Sequence, residues 1–150
     1  MKLIALIPAR SGSQRIPNKN IKMLRGYPLI AYTIAQAKVA NIFSDVFVST
    51  DCENIAEIAK SFDAKIILRP SSFAKATSPD IQWVLHAFDV LQQNQIEFNC
   101  FSILRPTSPF RRPTSIVEAW EYFKILPGVD SLRAVEKVKQ HPGKMWVIQN

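Results

Sequence analysis

Apolar and polar positions follow two rhythms along this chain. Leu3 to Ile7 is an unbroken apolar run of strand length. Val46 to Val48, Lys65 to Leu68 and Phe101 to Leu104 read as three more short strands. The segments between them keep a helical period. Leu29 to Ala40 has helical composition and no breaker after Pro28, which suits a first-turn proline. Ile55, Ile58, Ala59 and Phe62 share one helical face, with Thr50 or Asp51 as the cap. Ser78-Pro79 reads as a cap and a first-turn proline, and Ile81, Val84, Leu85 and Phe88 follow at helical spacing. Pro113 opens a helix with Ile116, Ala119, Trp120 and Phe123 on one face, and Ser131 to Val138 reads as a strand. This alternation predicts a three-layer α/β fold: a mainly parallel, twisted sheet with helices on both faces. No repeat, low-complexity tract or inter-domain linker interrupts it.

In such a sheet a ligand sits beyond the carboxyl ends of the strands. Polar segments follow the strands at four places: Ala9 to Asn20, Ser49 to Asp51, Arg69-Pro70 and Arg105 to Arg112. The first carries Arg10, Arg15 and Lys19 around Ser11-Gly12-Ser13. Small residues let backbone N–H groups approach an anion, and the cations neutralise it. This is neither a Walker A loop nor a dinucleotide fingerprint, because it has no Gly-Lys-Ser/Thr and no G-x-G-x-x-G. Side chains must therefore share the phosphate contacts. Arg10 can fork onto two oxygens and Lys19 can act as a point charge. Three cations in a loop are often just solvated. The Gly-Ser spacing after a buried strand favours an anion cradle instead.

Composition narrows the classes. The net charge of +7 fits nucleic acid, an anionic membrane or a phosphorylated small molecule. The aromatics stand at core-like spacings and do not interleave with the basic residues, which speaks against nucleic acid. No segment is long and apolar enough to span a bilayer, so no membrane partner is expected. Cys52 and Cys100 are too few for a disulfide framework, which points to reduced thiols in the cytoplasm. The apolar stretch before Asn150 carries no stop signal, which suggests a fragment.

The loop also resembles the signature of the acylneuraminate cytidylyltransferases, the CMP-sialic acid synthetase family. The family's I-P-A-R-x-x-S-K-x-x-P-x-K-N stands here as Ile7-Pro8-Ala9-Arg10, Ser13-Gln14, Pro17 and Lys19-Asn20. Val48-Ser49-Thr50-Asp51, Leu68-Arg69-Pro70, His86-Ala87 and Leu104-Arg105-Pro106-Thr107-Ser108-Pro109-Phe110-Arg111 resemble later motifs, in order and at compatible spacing. Two departures bear on the sugar. The motif lysine is Gln14 with Arg15 beside it, closer to the pseudaminic or legionaminic acid branch. The glutamine before P-T-S-P is Arg105.

The resemblance implies a Rossmann-like nucleotidyltransferase fold of the GT-A type. Residues 1–150 would be the N-terminal nucleotide-binding part of a single domain. The metal aspartates and the homodimerisation segment would lie in a C-terminal portion beyond it. It also implies transfer of CMP from CTP to a nine-carbon sugar acid, with Mg²⁺ or Mn²⁺ as cofactor. Arg10, Ser13 and Lys19 would act on the triphosphate. Ser11, Gly12, Arg15, Asn20 and Arg69 would bind CTP, with Arg69 near the cytosine. Arg105, Thr107, Ser108, Arg111 and His141 would face the sugar acid. Asp51 is a weak metal candidate beside its reading as a helix cap. His86, Cys52 and the tryptophans read as structural. Competing readings are another sugar nucleotidyltransferase, such as a 3-deoxy-octulosonate cytidylyltransferase, and an inactive homologue that only binds CTP.

Overall fold

The computed structural model of the chain describes residues 1–135. Four parallel strands form the main sheet in the order β5-β4-β1-β6: β1 is Leu3–Pro8, β4 Asp45–Thr50, β5 Lys65–Leu68 and β6 Cys100–Ile103. β1 lies in the middle and is buried along both faces, so an unbroken apolar run suits it better than an alternating one. A second sheet is a small antiparallel pair, β2 (Met23–Leu24) and β3 (Tyr27–Pro28). Its two-residue turn is Arg25-Gly26, both with positive φ, which the hairpin twist demands and Gly26 adopts freely. Strands of two residues leave no periodic trace, and the sequence pattern does not reveal them.

Helices α1 (Leu29–Ala40) and α2 (Glu53–Ser61) cover one face of the main sheet, and α3 (Asp80–Gln93) covers the other. On the first face Ala5, Ile7 and Val48 pack with Ile30, Ile34, Ala37, Ile55, Ala59 and Ile116. On the second face Ile4, Leu6, Phe47 and Ile67 pack with Trp83, Val84, Ala87 and Leu91. The three-layer α/β expectation therefore holds. α4 spans Pro113–Ile125 and starts at Pro113 as the sequence indicates. Within its later part Trp120 stacks on Phe123, Lys124 lies over the indole, and Ala119 is exposed rather than packed.

Four local expectations fail. Asp51 does not cap α2; Cys52 holds the N-cap position and its N–H meets the Thr50 hydroxyl at 3.2 Å. Ser78 does not cap α3; Pro79 holds that position while the Ser78 hydroxyl donates to the Ser72 carbonyl. The phase of α3 also differs, for Ile81 and Leu85 are more than half exposed and Trp83 is buried. Residues 131–135 are irregular where a strand was expected, and the rest of that strand lies outside the described residues.

One buried polar contact ties α1 to the loop after β6. Gln36, 8% exposed, donates from Nε2 to the Pro109 carbonyl at 2.6 Å. Replacing Gln36 with alanine leaves that carbonyl unpaired and is expected to cost about 1–3 kcal/mol, measured by urea denaturation.

Candidate functional site

The parallel sheet brings the four polar segments to one edge. Ala9 extends the β1–β4 ladder by donating to the Ser49 carbonyl at 2.9 Å, and Arg69 does the same toward Thr50 at 2.9 Å. Leu104 donates to the Leu6 carbonyl at 3.0 Å. These bonds carry strand geometry to the start of each loop, so Arg10, Asp51, Arg69 and Arg105 leave from fixed points.

The first loop is half-buried at Arg10, Ser11, Ser13 and Lys19, and exposed at Gly12 and Arg15. Arg10 donates from its guanidinium to the Ala74 carbonyl at 3.3 Å. Asn20 is buried and its side-chain amide donates to the Arg10 carbonyl at 2.9 Å. Asn18 enters the left-handed region at φ 51° to start the short 3₁₀ turn Lys19–Ile21. A Cβ placed on Gly12 would meet no atom within 4 Å. The Asp51 carboxylate accepts both the Ser11 N–H at 2.9 Å and the Ser11 hydroxyl at 2.6 Å. This occupies the Ser11 donors that the sequence reading offered to phosphate.

Arg69 is 6% exposed. Burial pulls its guanidinium below the ordinary value, Asp51 opposes this and Arg10 adds to it. The group stays charged, because no such shift brings arginine near neutrality. Its guanidinium lies 5.9 Å from the centre of the Trp83 ring. Its Nε has no partner among the described residues, nor has Nη1 of Arg111. Buried guanidinium donors left unspent are costly, and an anion at this edge would satisfy them.

A second group gathers around Asp80. Arg105 pairs with the Asp80 carboxylate, and the Trp83 indole N–H donates to the same carboxylate at 3.0 Å. Burial alone would raise the Asp80 pKa, but Trp83 and Arg105 outweigh it and hold it below the ordinary 3.8. The stabilisation from this pair is present above 3.8 and is lost as pH falls through the lower folded value. It is therefore intact at neutral pH. Arg111 donates to the Arg105 carbonyl at 3.2 Å. Burial pulls the Arg111 guanidinium below its usual value too. Thr107 and Ser108 are exposed on this turn.

The structure thus joins Arg10, Ser11, Asn20, Asp51 and Arg69 in one group. Arg105 and Arg111 form a second, which Asp80 and Trp83 link to Arg69. Sequence reasoning passed over Asp80 and Gln36; it read Trp83 as structural, which its burial bears out, without its bond to Asp80. The i, i+3 spacing of Asp80 and Trp83 at a helix start is a signal that could have found that pair. His141 lies outside the described residues. His86 sits edge-on to Phe73, and its buried Nδ1 has no partner among the described residues. Among the described residues no three histidine, cysteine or acidic side chains converge on a metal position. Both Asp51 oxygens are engaged by Ser11, so these residues do not by themselves fit a metal ion. No described helix is long and apolar enough to cross a membrane.

Comparison with known proteins bears on the family and the fold. A family model described as cytidylyltransferase matches residues 4–141. The N-acylneuraminate cytidylyltransferase of Escherichia coli O18:K1:H7 is 41% identical over 125 residues, which cover 83% of this chain and 29% of that protein. The CMP-N,N'-diacetyllegionaminic acid synthase of Legionella pneumophila is 40% identical over 126 residues, covering 83% of this chain and 54% of that one. The chain therefore spans about half the length, or less, of these relatives. Among solved structures, CMP:2-keto-3-deoxy-manno-octonic acid synthetase complexed with CTP superposes with a TM-score of 0.70 at 22% identity. That match covers 86% of this chain and 50% of the other, and it speaks for the fold.

Proposed function

The chain belongs to the cytidylyltransferase family, and from that premise we propose that it forms the nucleotide-binding part of an enzyme that transfers CMP from CTP to a nonulosonic acid. The observation that carries this reading is the cationic edge of the parallel sheet, where Arg69 and Arg111 hold buried donors with no partner among the described residues. In the proposed reaction the anomeric hydroxyl of the sugar acid attacks the α-phosphorus. A new O–P bond forms, the bond to the β-phosphate bridging oxygen breaks, and pyrophosphate departs as the hydroxyl loses its proton.

In this reading Arg10, Ser13 and Lys19 hold the triphosphate and offset charge that grows on its oxygens. Arg69, fixed over Trp83, lies on the nucleotide side. Arg105, Arg111, Thr107 and Ser108 face the acid. The Mg²⁺ or Mn²⁺ that the resemblance implies would be held by residues other than the described ones and would offset charge on the phosphate oxygens. A cytoplasmic homodimer fits the resemblance.

The test is pyrophosphate release by the whole enzyme of which these residues form the nucleotide-binding part, with each nucleoside triphosphate and a panel of sugar acids; residues 1–150 alone are expected to bind CTP with little or no turnover. Turnover by the whole enzyme with CTP and a nine-carbon 2-keto acid is expected. Turnover confined to 3-deoxy-octulosonate, or binding of CTP by the whole enzyme without turnover under any acceptor, would overturn it.

The Arg105–Asp80 pair is half exposed on both sides, at 52% and 55%, so it contributes little and can be exchanged for a ligand carboxylate. Arg105→Gln is expected to raise the acceptor KM about tenfold, the scale of one lost charged hydrogen bond, with the CTP dissociation constant within about twofold. Equal losses toward both ligands would remove Arg105 from the acceptor side.

A further inference from the structure

The loop after β1 has little to hold it in shape. Gly12 is exposed and a Cβ there would touch nothing within 4 Å. Two side chains, one from the far end of the loop and one from the end of β4, pin Arg10 and Ser11 all the same. The Asn20 amide grips the Arg10 carbonyl at 2.9 Å. Asp51, 40 residues from Ser11 in sequence, takes the Ser11 N–H on one carboxylate oxygen and the Ser11 hydroxyl on the other. The Ser11 carbonyl in turn accepts the Ser13 N–H at 2.8 Å, which closes the turn on itself. Asp51 leaves the end of β4, whose ladder with β1 continues to Ala9, so the grip is anchored in the sheet.

The geometry points to Asp51 as a positioning residue. It presets the Arg10–Ser13 turn by holding both donors of Ser11, and so presents Arg10, Gly12 and Ser13 to a triphosphate already ordered. This deepens the cytidylyltransferase reading and rests on it. A ligand that found this turn unpinned would have to order it on binding and would lose affinity in proportion. Asp51 also lies near enough to Arg69 to favour its charged form, while Arg10 acts on Arg69 in the opposite sense. Its carboxylate therefore has two separable properties, two acceptor oxygens and one negative charge. The assignment places its effect in the acceptors.

Asparagine separates the two. Its Oδ1 can accept the Ser11 N–H and its Nδ2 can donate to the Ser11 oxygen, while the charge is gone. The experiment compares wild type, Asp51→Ala, Asp51→Asn and Ser11→Ala by amide hydrogen exchange at Ser11 without nucleotide, and by calorimetric titration with CTP. In Asp51→Ala the Ser11 amide is expected to exchange at least about tenfold faster and CTP to bind at least about tenfold more weakly. Asp51→Asn is expected to restore both to within about threefold. Ser11→Ala should keep its amide protection, because the N–H bond remains. Unchanged Ser11 protection in Asp51→Ala would overturn the assignment. So would an Asp51→Asn variant as impaired as Asp51→Ala, since that places the effect in the charge. The exchange measurement needs no nucleotide. Wild-type protein that protects Ser11 yet ignores CTP would sink the proposed function and leave the grip on Ser11 standing.

Discussion

Replacing Arg10 with alanine is expected to weaken CTP binding by about 100-fold, the largest effect of any single change at the cationic edge. The guanidinium leaves the sheet one residue beyond Ala9, which is fully buried and hydrogen-bonded to Ser49. Its direction is thus set by the sheet, and the Asn20 amide fixes its own carbonyl. Among the described residues its guanidinium has one modest hydrogen bond, to the Ala74 carbonyl at 3.3 Å. Two charge-assisted bonds to phosphate oxygens, each about 1.5 kcal/mol net, give about 3 kcal/mol or roughly 100-fold. The same substitution costs the fold little, because Arg10 packs no core. Calorimetric titration with CTP reads the first quantity and thermal unfolding the second. A melting temperature that falls along with affinity would mean that Arg10 holds the loop and does not hold the ligand. Retained affinity would move the triphosphate away from this turn altogether.

Residues whose roles depend on their own neighbours in sequence were legible. The apolar run at Leu3 to Ile7, the breaker-free stretch at Leu29–Ala40 and Pro113 each announce their element and its start. The position of Arg10, Arg69 and Arg105 beyond strand ends followed from the alternation of strand and helix, because a parallel sheet puts all such ends on one edge. What stayed hidden depends on partners far away in sequence. Asp51 looks like a cap because it stands just before a helix, yet Ser11 takes both its oxygens. Arg105 looks free for a ligand, yet it meets Asp80. Neither pairing leaves a local mark in the sequence.

α3 shows a different limit. Ile81, Trp83, Val84, Leu85, Ala87, Phe88 and Leu91 cover so much of its circumference that spacing alone does not choose a face. The sheet chooses: Trp83, Val84, Ala87 and Leu91 pack on Ile4, Leu6, Phe47 and Ile67. The indole N–H can be buried there because Asp80, one turn earlier, accepts it. That choice places Trp83 under Arg69 and Asp80 beside Arg105, so the phase of one helix organises both sides of the site.

The second large effect tests this packing directly. Leu6→Ala is expected to destabilise the protein by about 3–5 kcal/mol, whereas Leu85→Ala costs less than about 1 kcal/mol. Leu6 is fully buried in the central strand and belongs to the cluster on the α3 face. Shortening it leaves a void that rigid neighbours on β4, β6 and α3 fill only in part. Leu85 is 54% exposed, so its truncation removes surface that water already touches. For a chain of this size 3–5 kcal/mol lowers the melting temperature by roughly 10 °C. Below that transition the surviving folded protein should still bind CTP, because the Leu6 side chain lies inside the sheet and its one bond toward a loop, from the Leu104 N–H to the Leu6 carbonyl, is made by backbone that the substitution keeps. Urea denaturation of both variants, read by tryptophan fluorescence, decides the matter. Comparable losses would mean that α3 turns Leu85 inward, and Trp83 would then no longer be the platform on which Arg69 rests.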